Sequence, residues 1–216
     1  ERAKALSAFS TGLTDQGFDK LMARTLNVVL GAKSVEDRER GYANPMSARN
    51  ISNQVDDATV EALHEAVAEV GAEQSRRYYR LLAKHLDKPT LAWSDRNAPL
   101  PFASQETVLW TNCVETVLDA YGSFSPTLRD LIATMLDRAW IDAPPYEGKG
   151  GGAFNYSVLL PSGEPRAYNF LNYMGSPRDV MTTAHEVGHG AHGMLAAEAQ
   201  GALMFRAPMA YAETAS

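Results

Sequence analysis

The stretch TTAHEVGHGAHG, residues 182–193, holds three of the five histidines in a chain of 216 residues. Within it, His185, Glu186 and His189 form the pattern H-E-x-x-H. Four residues advance an α-helix by about 400°, so the two imidazoles project from one face, roughly 6 Å apart along the axis. That separation lets two ring nitrogens reach one zinc ion at about 2.0–2.1 Å. The pattern therefore predicts a zinc site on a helix.

Glu186 lies slightly to the side of the two histidines, where its carboxylate can hold a zinc-bound water instead of binding the metal. The neighbouring residues are small or apolar, which indicates a packed helix. Burying two histidines and a glutamate without partners would be costly, and metal ligation removes that cost, which disfavours a merely solvated helix. Gly188 and Gly190 each weaken a helix by about 0.5–1 kcal/mol relative to alanine. We therefore expect another part of the chain to approach closely there.

The third zinc ligand must come from outside this pattern. A histidine six residues after the second one would complete a longer motif, but the chain has leucine there. His192 lies nearly two turns after His185, which favours a supporting or surface role over ligation. Glu198 is too close in sequence to fold back from the same helix. We predict that the ligand is Glu213, on a later helix that Pro208 can start.

The chain before this motif is predicted to be mostly helical. Apolar residues recur at helical spacing in four segments, which we interpret as core faces. The segments run from Phe18 to Val29, Val60 to Leu81, Val108 to Tyr121, and Leu128 to Ala139. Residues suited to helix starts are Asp56 or Asp57, Ser104, Ser125 with Pro126, and Ser176 with Pro177 and Asp179. The last group has the arrangement of a capping box directly before the histidines.

A glycine-rich stretch, PPYEGKGGGAF at 144–154, interrupts the helical pattern because its glycines cannot form a stable helix interior. It lacks a following Lys-Ser/Thr and leads into a strand pattern, so we reject a phosphate-binding loop. Residues 153–160 and 166–174 alternate apolar and polar side chains around the turn sequence PSGE. This pattern predicts a β-hairpin.

Composition excludes several classes of function. The net charge of −6 and the absence of a basic run argue against binding to nucleic acid or to an anionic membrane. No stretch reaches the roughly 18 apolar residues of a membrane span, and no signal peptide is recognisable. The single cysteine, Cys113, sits in an apolar pattern and predicts a small buried thiol in a reducing compartment.

Three motifs together resemble the oligoendopeptidase F and thimet oligopeptidase family of zinc peptidases. They are GKGGGAFNYS at 148–157, NFLNYMGSPRDVMTTAHEVGHGAHG at 169–193 and AYAETAS at 210–216, in the order and spacing of that family. The resemblance implies a mainly α fold that encloses a deep channel lined by a small sheet. It divides the chain into a helical channel wall, residues 1–140, and a catalytic zinc region, residues 141–216.

The resemblance also implies the roles of individual residues. One zinc per chain would be held by His185, His189 and Glu213, the last in an E-x-x-S context, with Glu186 as the catalytic base. The hairpin around Ala153 to Tyr173 corresponds to the part that lines the substrate channel in the family. Its candidate substrate-binding residues are Ala153, Phe154, Asn155 and Tyr156. The implied function is a cytoplasmic zinc metalloendopeptidase that hydrolyses short peptides.

Two alternatives remain open at this point: another glutamate-ligated zinc peptidase such as an aminopeptidase, or a non-catalytic helical binding module. The chain begins at Glu1 instead of methionine and stops at Ser216 inside a predicted helix, so we expect a piece of a longer protein. In the family a tyrosine and a histidine well downstream of the third ligand stabilise the tetrahedral intermediate. This chain does not contain that part, and we expect the segment alone to have weak activity or none.

Overall fold

The structure is a computed structural model that describes residues 1–100 and 107–216. The chain forms two compact units, Glu1–Ser104 and Gln105–Ser216. The described residues are mainly helical, with a small three-stranded sheet in the second unit, which confirms the predicted fold class. None of the described helices combines the length and the apolar character that crossing a membrane requires.

The first unit consists of helices joined by turns. They are α1 (Arg2–Thr14), α2 (Phe18–Glu39), α3 (Ser47–Ser52) and α4 (Asp57–His85). Helix α4 begins where the sequence predicts, because the side chain of Asp56 accepts a hydrogen bond of 2.7 Å from the backbone N–H of Thr59. The buried carboxylate of Asp95 accepts hydrogen bonds from Lys88 at 2.5 Å and from Arg2 at 3.0 Å. These contacts lower the pKa of Asp95 to about 2 and attach α1 to the segment after α4.

The predicted core faces of α2 and α4 form as helices but are not buried. Val29 is 59% exposed and Leu63 is 61% exposed, and most other members of the two stripes are exposed as well. Only Leu82 and Ala83 are buried on α4, near its end. The burial prediction is therefore wrong for these helices. Apolar spacing identifies one face of a helix, but it does not say whether the covering partner lies in the same chain.

The second unit contains the remaining elements. They are α5 (Trp110–Phe124), α6 (Pro126–Asp137), β1 (Ile141–Asp142), β2 (Phe154–Leu159), β3 (Pro165–Phe170), α7 (Pro177–Gln200) and α8 (Met209–Thr214). Strands β2 and β3 are antiparallel and pair Tyr156 with Tyr168, which confirms the predicted hairpin. Strand β1, which no sequence pattern predicted, pairs parallel with β3 and gives the sheet order β1-β3-β2.

Helix α7 lies against the β2–β3 hairpin and also contacts α5 and α6. The core of this unit consists of Cys113, Val117, Ile132, Met135, Ala167, Val187, Ala191 and Met194. The predicted core faces of α5 and α6 are thus confirmed at their centres, and so is the buried Cys113 thiol, whose pKa is raised by burial. Ser125 caps α6 as predicted, but the helix ends at Asp137, two residues before Ala139. The predicted cap at Ser104 lies outside the described residues.

Candidate metal centre

The start of α7 sets the position of the histidine motif. The Ser176 hydroxyl accepts a hydrogen bond of 3.2 Å from the Asp179 backbone N–H. The Asp179 carboxylate accepts one of 2.8 Å from the Ser176 backbone N–H, and Pro177 occupies the first helical position. This reciprocal arrangement satisfies two N–H groups that have no partner inside the helix. The predicted capping box is therefore confirmed, and it fixes where each later turn of α7 begins.

Two glycines let other elements approach the α7 backbone. A Cβ atom added at Gly188 would lie 2.5 Å from the Tyr121 hydroxyl and 3.0 Å from the Ser216 hydroxyl oxygen. A Cβ atom added at Gly190 would lie 2.7 Å from the sulfur of Met135. The close approach predicted from the two glycines is thus confirmed. It places α5 and the C-terminal residues against the same turn that carries the histidines.

We expect Gly188→Ala to destabilise the second unit by about 1–3 kcal/mol, the usual cost of overpacking. The Tyr121 ring is rigid, and its hydroxyl donates a hydrogen bond of 2.9 Å to the Ala184 carbonyl, so it cannot move without losing that bond. Chemical denaturation followed by circular dichroism measures the change. Gly31→Ala on α2 is the matched control, because nothing lies within 4 Å of its added Cβ. We expect that variant to gain stability, and an equal gain at Gly188 would contradict the packing argument.

The three predicted zinc ligands lie together. The Nε2 atoms of His185 and His189 are 3.2 Å apart. A carboxylate oxygen of Glu213 lies 3.5 Å from Nε2 of His185 and 3.7 Å from Nε2 of His189. Glu213 reaches this position because α8 follows Pro208, where the sequence predicts a helix start. Among the described residues, the potential metal ligands form one cluster of these three, and neither His192 nor Glu198 joins it.

The spacing of these atoms suits zinc. Bonds of about 2.0–2.2 Å in a tetrahedral site place any two ligand atoms roughly 3.3–3.6 Å apart. The observed separations of 3.2, 3.5 and 3.7 Å lie within or close to that range. Two imidazoles and one carboxylate leave a fourth position for water or substrate, as in catalytic zinc sites. Residues 185, 189 and 213 therefore fit a zinc ion without rearrangement of the backbone.

Glu186 is buried beside this cluster, with 6% of its surface exposed. Burial raises the pKa of its carboxyl group, the neighbouring His185 and His189 lower it, and the negative charge of Glu213 raises it further. A buried carboxylate with a raised pKa suits a group that accepts a proton near neutral pH.

A cleft of about 280 Å³ opens next to the ligands. Its lining residues include Asn155 and Tyr156 from β2, together with His189, His192 and Arg206. The side chain of Arg206 donates a hydrogen bond of 3.0 Å to the Tyr156 hydroxyl. Two of the four predicted substrate-binding residues therefore line the cleft beside the metal ligands.

The other two predicted substrate residues lie elsewhere on the hairpin. Ala153 directly precedes β2 and does not line the cleft. Phe154 is about half exposed, and its ring stacks on Phe170 with centroids 4.9 Å apart.

Two residues near the candidate site, Arg206 and Tyr121, were not predicted from the sequence. Arg206 follows a turn after α7, and no local pattern marks it. Tyr121 was interpreted only as part of a core face, although its hydroxyl binds the backbone of the histidine helix at Ala184. Both contacts join residues that are far apart in sequence, so periodicity and spacing do not reveal them.

Comparison with protein families matches residues 125–216 to the profile of peptidase family M3. This match contains the whole hairpin, the H-E-x-x-H helix and Glu213. The family predicted from the sequence, that of oligoendopeptidase F, is confirmed.

Individual M3 relatives extend the similarity over most of the chain. The chain is 25% identical to the chromosomal oligoendopeptidase F of Lactococcus lactis subsp. cremoris over 198 residues, which is 90% of this chain and 31% of the relative. It is 29% identical to an oligoendopeptidase F homolog of Borreliella burgdorferi over 164 residues, 72% of this chain and 26% of that protein. The chain thus spans about a third or less of these relatives.

Solved structures show the same fold. PZ peptidase A, solved with an inhibitor, superposes with a TM-score of 0.69 at 15% identity, covering 90% of this chain and 35% of that one. A Bacillus anthracis chain described as an oligoendopeptidase F gives a TM-score of 0.68 at 19% identity, covering 90% and 36%. At these identities the likeness concerns the fold alone.

Proposed function

We propose that the whole protein is a zinc metalloendopeptidase that hydrolyses short peptides. The observation that carries this proposal is the convergence of His185, His189 and Glu213, whose ligand atoms all lie within 4.8 Å of one another. The buried carboxylate of Glu186 lies directly beside them. The oligoendopeptidase F relatives support the same reaction class.

The chemistry divides between the metal and the protein. When bound, zinc would lower the pKa of water and polarise the scissile carbonyl. Glu186 would accept a proton from the attacking water and deliver it to the departing amine. Burial of Glu186 beside the proposed ligands places its carboxylate within the site where this transfer would occur.

Strand β2 is the proposed docking site for the peptide backbone. It lies at one end of the sheet order, so its outer edge is not paired with another strand of the described residues. An extended peptide can add to such an edge through main-chain hydrogen bonds, which suits substrates of varied sequence. Asn155 and Tyr156 connect this edge to the cleft beside the ligands. The channel wall at residues 1–140 and the cytoplasmic location remain predictions of the family resemblance.

Metal removal tests the proposal directly. We expect the whole protein to bind about one zinc per chain, and a chelator to reduce peptide cleavage to the background rate. Activity should return when zinc is added back, because the ligands are carried by the folded chain. Metal analysis and a fluorogenic peptide assay provide the two measurements. Full activity after exhaustive metal removal would refute a zinc-dependent mechanism.

The position of cleavage separates the proposed endopeptidase from an aminopeptidase. We expect the whole protein to cleave peptides with a blocked N-terminus as readily as the unblocked peptides of the same sequence. An aminopeptidase needs the free amine, so cleavage confined to the unblocked peptides would contradict the endopeptidase assignment. Mass spectrometry of the products identifies the bond that is broken.

A further inference from the structure

The hydroxyl group of Ser216 contacts His185 at two places. Its oxygen lies 3.1 Å from the ring nitrogen Nδ1 of His185. The same hydroxyl also donates a short hydrogen bond to the backbone carbonyl of His185. The two residues are 31 positions apart in sequence, so this contact joins the segment after α8 to the middle of α7.

These two contacts determine which nitrogen of His185 carries a proton. A serine hydroxyl has one hydrogen, and here that hydrogen is donated to the carbonyl of His185. The oxygen can then only accept a hydrogen bond from the ring, which requires a proton on Nδ1. A neutral imidazole protonated on Nδ1 has a free lone pair on Nε2. Nε2 is the atom that faces His189 and Glu213.

We propose that Ser216 is a positioning residue that holds His185 in the tautomer and ring orientation needed to bind the metal through Nε2. The inference rests on the proposed zinc site, and it adds a residue that does not touch the metal. Groups that hydrogen-bond the second nitrogen of a metal-binding histidine commonly set its tautomer in this way. Here a hydroxyl fills the place that a carboxylate or a backbone carbonyl more often takes.

The surrounding packing supports a dedicated contact. Ser216 reaches His185 because Gly188, one turn later on α7, has no side chain: an added Cβ would lie 3.3 Å from the Ser216 Cα atom. Ser216 also follows Glu213 by three residues, so α8 and the residues after it bring a ligand and its supporting hydroxyl to the site together. The segment from Glu213 to Ser216 thus supplies one proposed ligand and supports a second, His185.

The test compares Ser216→Ala with Thr214→Ala in the 216-residue chain. The Thr214 hydroxyl donates a hydrogen bond of 2.7 Å to the Ala210 carbonyl of its own helix, so Thr214→Ala controls for the loss of a hydroxyl next to Glu213. Zinc affinity is measured by competition with a chelator. The tautomer of His185 is measured in the metal-free chain by ¹H–¹⁵N correlation at about pH 8.5, where histidine is neutral.

We expect Ser216→Ala to weaken zinc binding roughly 10- to 100-fold, the usual effect of losing such a support. The population protonated on Nδ1 should fall in the same variant, and Ser216→Thr, which keeps a hydroxyl, should restore both values. Thr214→Ala should change neither. Unchanged affinity in Ser216→Ala, or a loss of affinity with an unchanged tautomer, would overturn the proposal. Failure of the unsubstituted chain and of the whole protein to bind zinc would instead refute the proposed function, and the tautomer measurement does not depend on zinc.

Discussion

Replacing Glu186 with glutamine should lower kcat for peptide cleavage by the whole protein about 10²- to 10⁴-fold, the usual contribution of a general acid–base group. Glutamine has the same shape and nearly the same volume, so it fits the buried position of Glu186. It cannot accept a proton from water, however. The substitution therefore removes the proposed base and leaves the packing of α7 in place.

Zinc content separates this role from the alternatives. We expect Glu186→Gln to retain one zinc per chain, because the three ligand atoms belong to other residues. Loss of zinc together with activity would mean that Glu186 is a ligand or a structural anchor. Glu198→Gln is the matched control: it makes the same chemical change on the same helix, outside the ligand cluster. That variant should keep full activity.

His189→Ala should weaken zinc binding by more than about 100-fold, since loss of a residue that merely supports a ligand already costs roughly 10- to 100-fold. It removes one of the three proposed ligands, and His189 is the less exposed of the two histidines, at 17% against 41% for His185. The remaining imidazole and carboxylate would hold the metal with two open positions. Chelator competition gives the affinity.

His192→Ala provides the comparison for this variant. His192 lines the cleft beside the ligands but does not belong to the ligand cluster. We expect little change in zinc affinity, although KM can rise if the cleft receives substrate. Equal losses in the two variants would show that His192 also binds the metal and that the assignment of ligands is wrong.

The parts of the site that the sequence predicted depend on interactions within a few residues. The start of α7 follows from Ser176, Pro177 and Asp179, which contact each other directly. The shared face of His185 and His189 follows from helical geometry alone. Such local relations leave a pattern in the sequence, so the core of the site could be found before the fold was known.

The parts that the sequence did not predict depend on distant partners. Strand β1 has only two residues, and it is a strand because it pairs with β3. In this pairing Ile141 lies opposite Asn169, which is 28 positions later in the sequence. Helix α2 is the opposite case. Its apolar residues have the spacing of a core face, but they are exposed because none of the described residues packs over them. Periodicity shows which face of an element is apolar, whereas the fold determines whether another element covers that face.

The glycines that admit Tyr121 and Ser216 to α7 also link zinc affinity to folding. Three glycines in this helix lower its intrinsic helical stability by about 1.5–3 kcal/mol relative to alanine. An isolated helix of this composition is not stable in water, so α7 becomes ordered only once it packs against the hairpin and α5. The two histidines therefore share one face only while the second unit is folded, so the proposed zinc site depends on the packing of α7. A core substitution at Met135 or Val187 would therefore lower zinc affinity without touching a ligand, and zinc in turn would raise the melting temperature of the packing around it.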